Sequence, residues 1–78
     1  MSSFSATLYS RANCPLCDKA YEILDMYGFS IEIVDITKDA ELLDKYQTCI
    51  PVIEIDGKIR FRGKINEVLL RRLIGSRS

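Results

Sequence analysis

The 78-residue sequence contains no histidine. That absence removes imidazole acid–base chemistry, the Ser-His-Asp and Cys-His arrangements, and His-ligated zinc. There is also no surplus of charge. Eleven Lys and Arg balance eleven Asp and Glu, so no long-range field steers the chain toward DNA, RNA or an anionic membrane. Apolar runs are short, far below the roughly 20 residues that cross a bilayer. The opening stretch MSSFSATLYS lacks the basic segment and apolar core of a signal peptide, and the expected location is the cytoplasm. No Gly-rich phosphate loop is present, the carboxylates show no pairing that suggests hydrolysis, and the tyrosines are dispersed rather than interleaved with basic residues. No nucleic acid or membrane partner is expected.

What is present, 47% hydrophobic and 28% charged residues, describes an ordinary globule of one domain over residues 1–78, expected to act as a monomer. A core this small supplies only about 3–5 kcal/mol of net stability, so any site must be compact. Three cysteines stand out. Their odd number, with Cys14 and Cys17 within four residues, is unlike the even sets that staple small secreted domains.

Alternation of Phe4, Ala6 and Leu8 with Ser5, Thr7 and Tyr9 predicts a strand over Phe4–Ser10. From Pro15 onward, Leu16, Ala20, Ile23, Leu24 and Tyr27 recur at helical spacing, with Gly28 as the stop. Ile31, Ile33, Val34 and Ile36 read as a second strand, dense enough in apolar residues to be buried on both faces, which makes a βαβ unit. Leu42, Leu43 and Tyr46 mark a short helix after the cap candidates Thr37 and Asp39. Val52-Ile53-Glu54-Ile55 and Ile59-Arg60-Phe61 flank Asp56-Gly57, the signal for a two-residue type I′ hairpin. Asn66 is placed to cap a last helix burying Val68, Leu69, Leu73 and Ile74, with Arg71 and Arg72 left to water and Ser76-Arg77-Ser78 a frayed tail. The order βαβ, α, ββ, α is an α/β class fold. Arg60, Arg62 and Lys64 form a basic patch, read as a solvated edge that discourages strand pairing between molecules.

Cys14 and Cys17 fall where the first strand meets the first helix. Unpaired N–H groups at a helix N-terminus favour a thiolate, and the thiolate is the species that attacks a disulfide. Cys14 is therefore the nucleophile candidate, with Arg11 a second source of positive potential or a grip on a substrate carboxylate. Asp18, four residues on, opposes that effect. Cys17 lies one turn along on the face of Ala20 and Leu24, less exposed, as the resolving thiol.

Arg11-Ala12-Asn13-Cys14-Pro15-Leu16-Cys17 after a strand resembles the glutaredoxin site, in which Cys-Pro-x-Cys follows a basic residue. Cys49-Ile50-Pro51 before a strand, Asp-Gly and a strand resembles the glutaredoxin Thr-Val-Pro loop. The resemblance covers Leu8 to Ile74 in consistent order. It implies a thioredoxin-like fold with a four-stranded mixed sheet flanked by helices. It also implies a cis Ile50–Pro51 bond, and an Ile50 backbone that pairs with an extended substrate beside Cys14. The implied activity is thiol–disulfide exchange in cell redox homeostasis, with no bound cofactor, glutathione as a candidate co-substrate, and a protein disulfide or glutathione as partner.

Two departures bear on the substrate. Leu16 stands where glutaredoxins usually carry Tyr, and Arg62-Gly63 with Asn66 replaces their Gly-Gly pair and Asp. A long cationic side chain at position 62 removes the close backbone approach that glycine permits but forbids neither a carboxylate contact nor an anion at the N-terminus of the last helix. Arg11, Leu16, Ile50 and Gly63 stand as the substrate-binding candidates. This pattern fits divergent small glutaredoxin-like proteins better than dithiol glutaredoxins proper. Cys49, in place of threonine, reads either as a small filler of a partly buried site or as a third redox thiol. Two other readings of the cysteine pair stay open: a metal or iron–sulfur ligand set, for which three cysteines fall short of four ligands, and a catalytically silent interaction module.

Overall fold

The computed structural model describes residues 4–75. Strand β1 (Phe4–Ser10) leads to helix α1 (Pro15–Met26) and strand β2 (Phe29–Asp35), then a 3-10 turn (Ile36–Lys38) and helix α2 (Ala40–Tyr46). Strands β3 (Val52–Ile55) and β4 (Lys58–Arg62) and helix α3 (Glu67–Gly75) complete it. The sheet runs β2-β1-β3-β4, with β1 and β2 parallel and the other two pairs antiparallel. This is the expected α/β arrangement of a four-stranded mixed sheet with helices around it.

Local chemistry explains most boundaries. Gly28 takes φ +83 after α1, a left-handed position that needs no Cβ. Asp56 and Gly57 both have positive φ, as a type I′ hairpin requires. The Asn66 carboxamide oxygen accepts from the Val68 and Leu69 N–H groups at 3.0 and 3.2 Å, capping α3. Asp39, not Thr37, caps α2 by accepting from Glu41 and Leu42 N–H. Thr37 lies inside the 3-10 turn and donates to Asp35.

The two faces of the sheet are covered unequally. On one, α1 and α3 close over Ala6, Leu8, Ile53, Ile55 and Phe61, joining Ala20, Ile23, Leu24 and Leu70 in the main core. On the other, α2 and the 3-10 turn cover only Tyr9, Val52 and Ile59, around buried Ile36 and Tyr46. Seven residues of α2 cannot span the sheet at about 1.5 Å rise per residue. The rest of that face is an open groove of about 430 Å³ lined by Ser5, Thr7, Ser30, Glu32 and Glu54.

Three expectations change. Strand β2 is not buried on both faces: it is an edge strand, Ile33 is 56% exposed, and Ile36 leaves the strand to bury in the 3-10 turn. Its β-branched residues reflect strand propensity rather than double burial. Helix α3 is rotated from the expected phase. Leu70 is fully buried, Leu73 and Ile74 are half-buried, and Val68 and Leu69 are about half exposed. The rotation is set by Tyr27, the C-cap of α1, whose hydroxyl donates to Glu67 at 3.2 Å and accepts from Arg71 at 3.1 Å. Arg71 is thus tied to α1 rather than left to water, and residues 67, 70, 71 and 74 form one helical stripe. The expected tail at Ser76 to Ser78 lies outside the described residues.

Candidate functional site

Strand β1 ends at buried Ser10, and exposed Arg11, Ala12 and Asn13 turn the chain toward α1. Asn13 takes φ +59, a left-handed conformation that asparagine tolerates better than most residues. Cys14 is extended (φ −117, ψ 97) and is itself the N-cap of α1, with Pro15 in the first helical turn. Its sulfur accepts from the Cys17 N–H at 3.2 Å. One of the orphan donors of the helix therefore points at the sulfur that the sequence nominates as nucleophile.

Cys14 and Cys17 form a disulfide across 5.2 Å between their Cα atoms. The two sulfurs have different surroundings. Cys14 is half-buried, while Cys17 is 4% exposed, on the same face as buried Ala20 and Leu24. Between them Leu16 is 55% exposed, an apolar side chain beside the bridge. Asp18 is exposed in the first turn of the helix.

The register of the sheet brings the second loop to the same end. Tyr9 pairs with Val52 and Val52 with Arg62, so the end of β1, the start of β3 and the end of β4 lie side by side. Pro51, immediately before β3, is fully buried and follows a cis Ile50–Pro51 bond. Gly63 (φ +86) donates its N–H to the Pro51 carbonyl at 2.8 Å, binding the turn after β4 to this loop. Ile50 is half-buried against the small cluster, and no other described residue takes its backbone N–H or C=O.

Cys49 is a free, half-buried cysteine packed at the rim of the Ile36, Tyr46 and Val52 cluster. Its N–H donates to the Tyr46 carbonyl at 2.9 Å and its sulfur lies 3.8 Å from the Thr48 hydroxyl. Among the described residues no three of Cys, Asp and Glu gather as a metal-ligand set.

One carboxylate at this end had no local signal in the sequence. Parallel pairing puts Asp35 opposite Ser10. Its carboxyl is held below the usual range by the Thr37 hydroxyl, which donates at 2.6 Å, then by the Thr37 N–H and, through space, by Lys38 and Arg11. Arg11 thus has an acidic neighbour across the mouth of the site, a relation created by strand pairing alone.

Residues 5–75 match the family described as Glutaredoxin-like domain. The chain belongs to this glutaredoxin-like family. A curated relative, the Glutaredoxin-like protein YDR286C homolog of Dictyostelium discoideum, is 33% identical over 75 residues, covering 83% of this chain and 69% of that protein. Among solved structures, a mutant of the thioredoxin-like protein BC3987 superposes with a TM-score of 0.67 at 25% identity, covering 90% of this chain and 94% of that one. The fold of this glutaredoxin-like chain is accordingly thioredoxin-like, with its close cysteine pair where the first strand meets the first helix. No helix among the described residues is long and apolar enough to cross a membrane.

Proposed function

We propose that the protein is a thiol–disulfide oxidoreductase that carries two electrons on Cys14 and Cys17. The observation that carries this reading is the asymmetry of the pair: Cys14 is half-buried and receives a helix N–H at its sulfur, while Cys17 is buried one turn behind it. In the reduced protein the Cys14 thiolate attacks one sulfur of a client disulfide, whose other sulfur leaves as a thiolate and takes a proton from solvent. The Cys17 thiolate then attacks the Cys14 sulfur of this mixed disulfide. The second client thiolate leaves, and the Cys14–Cys17 bridge remains with the two electrons transferred to the client. Reduction of the bridge by two glutathione molecules or by a dithiol flavoprotein reductase returns the thiols. Disulfide exchange requires no bound cofactor.

The remaining site residues act on the approach of the client. The open Ile50 backbone is available to pair with an extended segment next to the sulfur, and exposed Leu16 offers it an apolar contact. Arg11 supplies positive potential at the mouth. Gly63 holds the Pro51 loop through its N–H, and Cys49 fills the rim of the small cluster as a packing residue. Action as a monomer in the cytoplasm accords with this chemistry, since reducing compartments keep such thiols cycling.

A trapping experiment tests the reading. With Cys17→Ser, oxidised glutathione and a protein disulfide are each expected to accumulate as mixed disulfides on Cys14, resolved by mass spectrometry of peptides, and Cys14→Ser is expected to fall to the uncatalysed exchange rate. Capture on Cys49 with none on Cys14 overturns the site assignment. Binding of a client without exchange by the unmodified chain identifies a silent module instead.

A further inference from the structure

Between β4 and α3 runs a groove of about 410 Å³ lined by Arg60, Phe61, Leu69, Arg72 and Leu73. Its floor and wall are apolar: Phe61 is 7% exposed, Leu73 is half-buried, and Leu69 is left 49% exposed among the described residues. Its rims are cationic. Arg60 comes from the strand and Arg72 from the helix, and among the described residues neither is paired with a carboxylate.

The position of Arg60 has a specific cause. Ile53 opposes Phe61 and Glu54 opposes Ile59, so Arg60 is the extra residue of a β-bulge. In a regular strand Arg60 and Phe61 point to opposite faces; the bulge interrupts that alternation and turns Arg60 to the rim beside Phe61. The bulge also separates Ile59, which packs under α2, from Phe61, which packs under α3. β4 is the outermost strand, so its outer backbone edge has no strand partner within the described residues. Exposed Arg62 and Lys64 extend the positive charge toward Gly63 and the Pro51 loop.

We propose that this groove docks an extended protein segment in which an apolar side chain is flanked by carboxylates. The apolar side chain sits on Phe61, Leu69 and Leu73, and the carboxylates meet Arg60 and Arg72. A small anion alone does not match, because three of the five lining side chains are apolar and the adjoining strand edge offers backbone donors and acceptors. The surface is separate from the cysteine pair, so the docking stands or falls independently of disulfide exchange.

The test uses the full-length oxidised chain and a fluorescein-labelled peptide, Gly-Glu-Leu-Glu-Val-Glu-Gly, followed by anisotropy. Saturable binding is expected, at least about tenfold tighter than for the same peptide with Lys in place of Glu, and weakened by added salt. Arg60→Glu and Arg72→Glu are each expected to weaken it about fivefold or more, with far-UV circular dichroism confirming the fold, since like charges then face each other. Leu69→Ser is expected to weaken it at any salt concentration, and the Cys14→Ser/Cys17→Ser double variant to bind as the unmodified chain does. Equal affinity for the acidic and basic peptides, no saturation, or indifference to both charge reversals overturns the proposal. A dimer in sedimentation that Arg72→Glu dissolves makes the occupant a second copy and also overturns it, as does loss of binding in the cysteine double variant.

Discussion

The two faces of the sheet differ in how firmly they hold what they carry. Among the described residues, the face under α1 and α3 buries eleven in one cluster, and the face under α2 buries three. The cysteine pair sits at the start of α1, the helix whose Ala20, Ile23 and Leu24 enter the first cluster, and Cys17 is buried on that same helix face. The Cys49–Pro51 loop belongs to the second, where Cys49 and Ile50 lie at the rim of a small cluster. In the proposed reaction the nucleophile gains from a fixed position relative to its helix N-terminus, whereas the loop proposed to meet clients gains from a smaller, more adaptable support. The molecule divides these needs between opposite sides of one sheet, with the Gly63 to Pro51 hydrogen bond tying the loop to the end of β4.

The largest test of this contrast is Leu24→Ala. Leu24 is fully buried in the main cluster, and truncation is expected to cost about 2–5 kcal/mol, comparable to the whole net stability of about 3–5 kcal/mol for a domain of this size. Urea unfolding followed by circular dichroism is expected to show a midpoint moved at least about 40% of the way toward zero denaturant. A cost below about 1 kcal/mol contradicts the weight given to this face. Val52→Ala in the small cluster is expected to cost about 2 kcal/mol, from two lost methyl groups and a partly relaxed cavity. An equal or larger cost than Leu24→Ala erases the contrast.

Caps refine it. Asn66→Ala on α3 and Asp39→Ala on α2 are each expected to cost about 1 kcal/mol. Hydrogen exchange separates them: loss of the Asp39 cap deprotects α2 locally, and loss of the Asn66 cap lowers protection throughout the main core. Equal patterns for the two variants show that the faces open together.

The smallest expected effect depends on pH. On the α2 face the Tyr9 hydroxyl donates to Glu54 at 2.8 Å, and this hydrogen bond, followed by burial and the Glu54 charge, raises its pKa from 10.0 to about 12. A raised pKa means that the folded state favours the protonated phenol. The contribution is full below pH 10 and is lost as pH rises through about 12. Denaturant melts between these values are expected to show a shallower alkaline loss for Tyr9→Phe than for the unmodified chain. Identical slopes remove the Tyr9–Glu54 bond as a source of stability.

Much of this was legible in the sequence because it rests on short-range chemistry. Asp56-Gly57 specified the hairpin, Asn66 the cap of α3, and Pro15 after Cys14 the start of α1, each through residues within one turn of one another. Cys17 was expected on a buried face from its spacing to Ala20 and Leu24, and it is there. The phase of α3 was not legible, since it follows from Tyr27 meeting Glu67 and Arg71 some forty residues away. Nor was the edge position of β2, because apolar density in a strand reports propensity and not the number of neighbours it finds. Asp35 beside the mouth of the site and Arg60 on the rim of the groove both depend on strand register, which a single chain segment does not encode.

The sequence by itself determined the elements, the absence of imidazole chemistry and the placing of two thiols at a helix start. Those follow from residue types and spacings of four or fewer. Tertiary structure left Cys14 half-buried and Cys17 buried, brought the Pro51 loop to the end of β1, and joined a basic stretch of β4 to apolar side chains in one groove. Each of these is a relation between segments far apart in the chain. Such relations are set by which faces bury together and in what register, and that choice is made only when the whole sheet assembles.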